Sequence, residues 1–184
     1  MGWDYNKDKI KQITIESEEG KRATIQSSSK VTGWVKSQEY PNLWKTNYSD
    51  PIYQLFVGDT RATLCRMPKK WNYGRFYGYE FHEDPSNTDY YLRYLYVQED
   101  CIKMLEKMTD KELHASELVV HYWWYTDVHQ IVGFNFEKKY IITRILKTEE
   151  TPETISESSY FFIQGAFPAI TEPGEYYQHP DGIL

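Results

Sequence analysis

Apolar and polar residues alternate along much of this chain, and a period of two suits strands packed on one face. Residues 9–15 (KIKQITI) and 22–27 flank Glu18-Glu19-Gly20 and predict a β-hairpin, with 30–36 as a third strand. Residues 52–57 and 61–67 flank Gly58-Asp59-Thr60 and predict a second hairpin. The aromatic stretch 71–81 (WNYGRFYGYEF) reads as a strand bent at its glycines. Residues 117–125 suit a central strand, 130–136 and 139–147 a hairpin turning near Glu137-Lys138, and 159–164 a last strand.

The period changes in the middle. Val97, Cys101, Met104 and Met108 recur at helical spacing, and Leu92, Leu95, Ile102 and Leu105 widen the stripe. Ser86, Asn87 and Thr88 offer N-caps after Pro85, so one long helix is expected over about 88–108. Thr109-Asp110-Lys111-Glu112 has the form of a capping box and predicts a short second helix. Many strands around one helix imply an α+β fold with a largely antiparallel sheet. With 184 residues the chain is expected to form a single globular domain over 1–184.

Composition sharpens this picture. Tyrosine occurs 17 times, and its ring suits half-buried sheet surfaces while its hydroxyl seeks a partner or water. The net charge of −6 is unevenly spread. Residues 60–80 carry five cations against Glu80, whereas 148–184 carry seven acids and no Lys or Arg. Four of the eight prolines also fall in that acidic segment, which is expected to pack on the domain or trail from it. Either the acidic segment lies over the basic one, or the basic face meets an external anion. No stretch reaches the ~18 apolar residues of a membrane span, and the N-terminus lacks an export signal, so a cytoplasmic protein without membrane contact is expected. Cys65 and Cys101 are then expected as free thiols.

Three sets of residues invite chemistry. The first is a segment of cations interleaved with rings: Arg66, Lys69, Lys70, Trp71, Tyr73, Arg75 and Tyr77. Cations neutralise phosphates and rings stack on unpaired bases, so the segment fits a nucleic acid. Within it, Arg75-Phe76-Tyr77-Gly78-Tyr79 is similar to the aromatic core strand of an RNA-recognition motif. That motif has glycine where Phe76 stands and an aliphatic residue where Glu80 stands, so the family is not assigned. The same residues fit an ordinary twisted strand with solvated charges. The second set is His121, Asp127 and His129, the minimum donor set for a metal if the strands bring it together. The third is Cys65 beside Arg66, a nucleophile only if a histidine stands near.

No phosphate-cradling glycine loop, HExxH, GxSxG or CxxC motif is present, and no cofactor is expected. The leading expectation is a non-enzymatic binding protein. Its partner would be nucleic acid or a nucleic-acid-handling protein, and a phage or mobile-element inhibitor is one form of it. A metal-dependent hydrolase or nuclease using His121, Asp127 and His129 is the second expectation. A structural or oligomer subunit is the third.

Overall fold

A computed structural model describes residues 16–21, 27–147, 155 and 159–184. They fall into two units, 1–32 and 33–184. In the first, a turn sets the Lys21 amide on the Glu18 carbonyl and the two side chains in an exposed ion pair. The hairpin expected over 9–15 and 22–27 lies outside the described residues.

The second unit begins with short strands: β1 (Val35–Lys36), β2 (Trp44–Lys45), β3 (Phe56–Val57), β4 (Thr60–Arg61), β5 (Thr63–Leu64) and β6 (Arg66–Met67). Then come β7 (Gly74–Glu83), β8 (Tyr90–Val97), α1 (Glu99–Leu105), α2 (Asp110–Ala115), β9 (Glu117–His121), β10 (Thr126–Asn135), β11 (Tyr140–Leu146), β12 (Tyr160–Gln164) and β13 (Glu175–Tyr176). The hairpin at Gly58 is present as β3 paired with β4, shorter than the sequence pattern suggests.

Six long strands close on themselves. In the order β7, β8, β11, β10, β9 and β12 each pairs antiparallel with the next, and β12 pairs back onto β7 through Phe161↔Gly74 and Tyr160↔Arg75. The antiparallel sheet expected from alternation is therefore a barrel, with β6 joined to β12 where β7 leaves it. Closure removes the exposed edges of an open sheet, and a barrel this small fills its interior with side chains. Leu95, Val97, Leu118, Val120, Ile131, Ile141, Phe161 and Ile163 supply that core. Each such aliphatic side chain contributes roughly 1.5–3 kcal/mol when fully buried.

The closing seam depends on Gly74. A Cβ there would lie 2.3 Å from Cζ of Phe161, so the ring rests against bare backbone. Phe161 also packs on Phe76, with ring centroids 4.6 Å apart. One residue further along β7 from Phe76, a bulge at Tyr77 shifts the register against β8. Bulges bend a strand and turn its side chains, as the glycine-rich pattern implies.

The long helix expected over 88–108 is a correction. Tyr90–Val97 is β8, and the helix runs only from Glu99 to Leu105. In β8, Arg93, Leu95 and Val97 point inward and alternate with Tyr94 and Tyr96 on the other face. Tyrosines favour that pleated, half-exposed geometry, and pairing on both edges outweighs the apolar stripe. Cys101, Ile102, Met104 and Leu105 keep the helical part of the pattern and bury it. The second helix is as read, with the Thr109–Glu112 capping box complete.

The C-terminal segment is packed on the unit wherever it is described. Glu175–Tyr176 pairs in parallel with Thr63–Leu64, and the Thr46 and Leu184 backbones bond each other in both directions. The Gln178 amide bonds the carbonyls of Tyr48 and Asp50 and accepts from the Ile52 amide.

Candidate functional site

Cross-strand register decides which residues share a face. His121 lies opposite Thr126 on one side and Tyr160 on the other, and Tyr160 lies opposite Arg75. Two residues along, Val119 lies opposite Phe162; the next rung outward is Glu117, Gln164 and Arg66. Alternation therefore puts His121, Tyr160, Phe162, Arg66 and Arg75 on the outside of the barrel.

There they form a continuous aromatic and cationic patch. The Arg66 guanidinium lies 3.7 Å from the Phe162 ring centre and 5.1 Å from that of Tyr73. Its Nε donates to the Pro68 carbonyl at 2.9 Å and its Nη2 to the Asn72 carbonyl at 2.8 Å. Burial draws its pKa below the usual guanidinium range, and Tyr73 opposes that. Tyr73 meets the His121 ring edge-on at 5.3 Å and Tyr160 at 5.9 Å. Arg75 sits over Tyr160 at 4.1 Å. His121 shares its Nδ1 with the Thr126 hydroxyl at 2.8 Å. Its pKa is lowered by burial and by the Arg66 charge, so the ring favours its neutral form.

The basic segment is thus partly consumed by its own fold. Lys69 contacts both carboxylate oxygens of Glu175, at 2.6 and 2.7 Å, and donates to the Ala169 carbonyl. Here the acidic segment does lie over the basic one. Lys70 stays exposed, 5.2 Å from the centre of Trp71. Tyr77 leaves the patch: its bulge turns it into a cleft of about 370 Å³ that Tyr96, Gln98, Glu99, Lys138 and Lys139 also line. The Glu99 carboxyl on that cleft is held below its usual range by Lys103 and then Lys139.

Several of the rings that reach solvent are indoles. Trp71 is 81% exposed, and its backbone adopts φ of 71°, unusual for a bulky residue. Trp123 and Trp124 are 79% and 84% exposed at the tip joining β9 to β10. That tip is held by the Tyr122 amide bonding the Tyr125 carbonyl and by the stacked rings of these tyrosines, 4.6 Å apart. The strand expected over 117–125 ends at His121, so these tryptophans stand in the connecting loop and not in the sheet. The signal was present: two tryptophans stand between two alternating runs. Tyr160 and Phe162 were missed as site residues because only register brings them to Arg66 and Arg75.

The histidine set does not converge. Asp127 lies opposite Val120 and His129 opposite Leu118, so both alternate away from His121. His129 is buried, 3.3 Å from the Asp127 carboxylate, and burial pushes its pKa down to about 4. Among the described residues no group of three His, Cys, Asp or Glu is placed to hold a metal. Cys65 is buried, donates to the Ala166 carbonyl, and has its pKa pushed up to about 12 by burial, which does not suit a nucleophile. Cys101 is also a buried free thiol. No helix among the described residues is long and apolar enough to cross a membrane.

No family model and no curated protein matches the chain. A solved structure named as a glycoside hydrolase is similar in fold, with a TM-score of 0.56 and 19% sequence identity. The likeness covers 82% of this chain and 26% of that one, so this chain spans about a quarter of its length.

Proposed function

We propose that this chain is a non-catalytic binding domain whose exposed indoles and aromatic patch hold a neutral glycan by ring stacking. The observation that carries the reading is the exposure of Trp71, Trp123 and Trp124, each about four-fifths open to solvent. An exposed indole forgoes a large burial gain, and apolar surface kept open in this way marks binding sites. The C–H face of a pyranose packs on such a ring without needing countercharge. Two of the cations that a phosphate backbone would draw on are used by the fold itself, since Arg66 caps its own loop and Lys69 is paired with Glu175. The occurrence of a similar fold within a longer chain named as a glycoside hydrolase makes a glycan the first ligand to test.

A second reading keeps the nucleic-acid partner. Lys70 and Arg75 remain on the exposed side, and the same indoles would stack on unpaired bases. Salt separates the two, because phosphate contacts release counterions and glycan stacking does not. The test is co-sedimentation with insoluble cellulose, chitin and xylan, beside retention of single-stranded oligonucleotides, at low and high NaCl. The glycan reading expects salt-independent binding to a polysaccharide, weakened roughly tenfold by W71A or W124A, about 1.4 kcal/mol each. No polysaccharide binding, with salt-sensitive oligonucleotide retention lost in K70A/R75A, would replace it with the nucleic-acid reading.

A further inference from the structure

The barrel interior holds a charge that its described neighbours leave unmatched. Arg93 on β8 is 1% exposed. Its Nη1 donates to the Tyr122 hydroxyl at 3.1 Å, while Nε and Nη2 have no hydrogen-bond partner among the described residues. Arg93 lies directly opposite Thr143 on β11, and Thr143 opposite Ile131 on β10. His129 is two residues before Ile131, so it projects from the same face of that strand. Thr143 is fully buried and its hydroxyl has no hydrogen-bond partner among the described residues; His129 is buried and its Nε2 has none there either. Among the described residues Asp127 is the acid that approaches His129. It is half-exposed, reaches Nε2 at 3.3 Å without hydrogen-bond geometry, and accepts the Val128 amide through Oδ1.

A guanidinium does not deprotonate in a protein, so Arg93 cannot escape burial by becoming neutral. A buried charge satisfied by one neutral hydroxyl is costly unless something pairs with it. The open valences have one character: two N–H groups of Arg93, the hydroxyl of Thr143, and an imidazole nitrogen that donates in one tautomer. That set suits an anion, not a metal. With the ring held neutral by burial, the net charge to be matched is a single positive one. We propose that Arg93, Thr143 and His129 form an internal site for a small monovalent inorganic anion of chloride size, which acts as the counter-ion of the barrel core.

The experiment measures thermal unfolding of the full chain at pH 7 and constant ionic strength, replacing sodium gluconate by sodium chloride. Gluconate is too large for such a site and controls for screening. Binding to the folded state only should raise Tm with chloride concentration, by roughly 3–8 °C at saturation. R93M should abolish the chloride response, and D127N should preserve it. An equal wild-type Tm in both salts overturns the proposal, as does a chloride response that survives in R93M. A response absent in the wild type and gained in D127N would make Asp127 the counter-ion instead. Should R93M fail to fold, crystals grown in sodium bromide decide. A bromide anomalous peak within hydrogen-bond distance of the Arg93 guanidinium supports the site, and its absence there refutes it.

Discussion

Replacing Gly74 by alanine tests how the barrel closes. The added Cβ would lie 2.3 Å from Cζ, 2.5 Å from Cε1 and 2.8 Å from Cε2 of Phe161. Ordinary van der Waals contact begins near 3.4 Å, so the ring must retreat by about an ångström or the strands must part. Retreat is opposed by Phe76, 4.6 Å away between ring centres, and by the surrounding core. Parting is opposed by only two rungs, Phe161↔Gly74 and Tyr160↔Arg75. Alanine in place of a strand glycine would otherwise stabilise by roughly 0.5–1 kcal/mol, by lowering the entropy of the unfolded chain. Overpacking a well-filled site costs about 1–3 kcal/mol. The clash wins because three ring atoms are hit at once, and a net loss of about 1–2 kcal/mol is expected. For a chain of this length that lowers Tm by about 2–8 °C. Urea denaturation followed by far-ultraviolet circular dichroism measures it. Phe161→Leu alone should also destabilise. In the double variant the smaller side chain accepts the new methyl, so the two losses should fall short of additivity by at least about 0.5 kcal/mol. Strict additivity, or a G74A variant as stable as the wild type, would refute the close contact as the basis of closure.

Lys69 and Lys70 are adjacent but differ in role. K69A leaves the buried Glu175 carboxylate without its cation and should cost about 2–4 kcal/mol, whereas K70A at an exposed position should stay within about 0.5 kcal/mol. Equal effects in denaturant titrations would contradict the pairing. The buried His129 sets a pH dependence. Its folded pKa of about 4 lies below the ordinary value of 6.5, so protons bind the unfolded chain more readily. Its contribution is complete above about 6.5 and is lost as pH falls towards 4, by up to roughly 3 kcal/mol at 1.36 kcal/mol per unit. Stability measured from pH 7 to 4 should therefore fall less steeply in H129Q, and parallel profiles would count against a buried neutral ring.

What could be read from one dimension was whatever depends on neighbours in sequence. Alternation announced β9, β11 and β12, the Gly58 turn announced its hairpin, and Thr109 with Glu112 announced the cap of α2. Each rests on a residue and one three or fewer places away. The tyrosine content spoke for sheet because a ring with a hydroxyl suits a half-exposed pleat. Over 90–97 two local patterns competed, an apolar helical stripe and a run of aromatic residues. Pairing to β7 and β11 decided between them, and such pairing has no signature in the segment itself.

The candidate site was legible only in part. Trp71, Tyr73 and the cations around them stood out because rings and charges alternate there, but what each does was settled across the sheet. Phe162 and Tyr160 lie some ninety residues from Arg66 and Arg75 and meet them through register. Glu175 takes Lys69 out of service from the far end of the chain. A shift of one residue could have put His121 opposite Asp127, on the face that carries His129; the observed register puts it beside Tyr73 instead. Outside 90–97, sequence alone announced several of the strands and the second helix, and it showed where rings and charges concentrate, because propensity and alternation are local. Only the closed barrel decided which charges are spent within the protein and which indoles face outward, because both follow from strand pairing between distant residues.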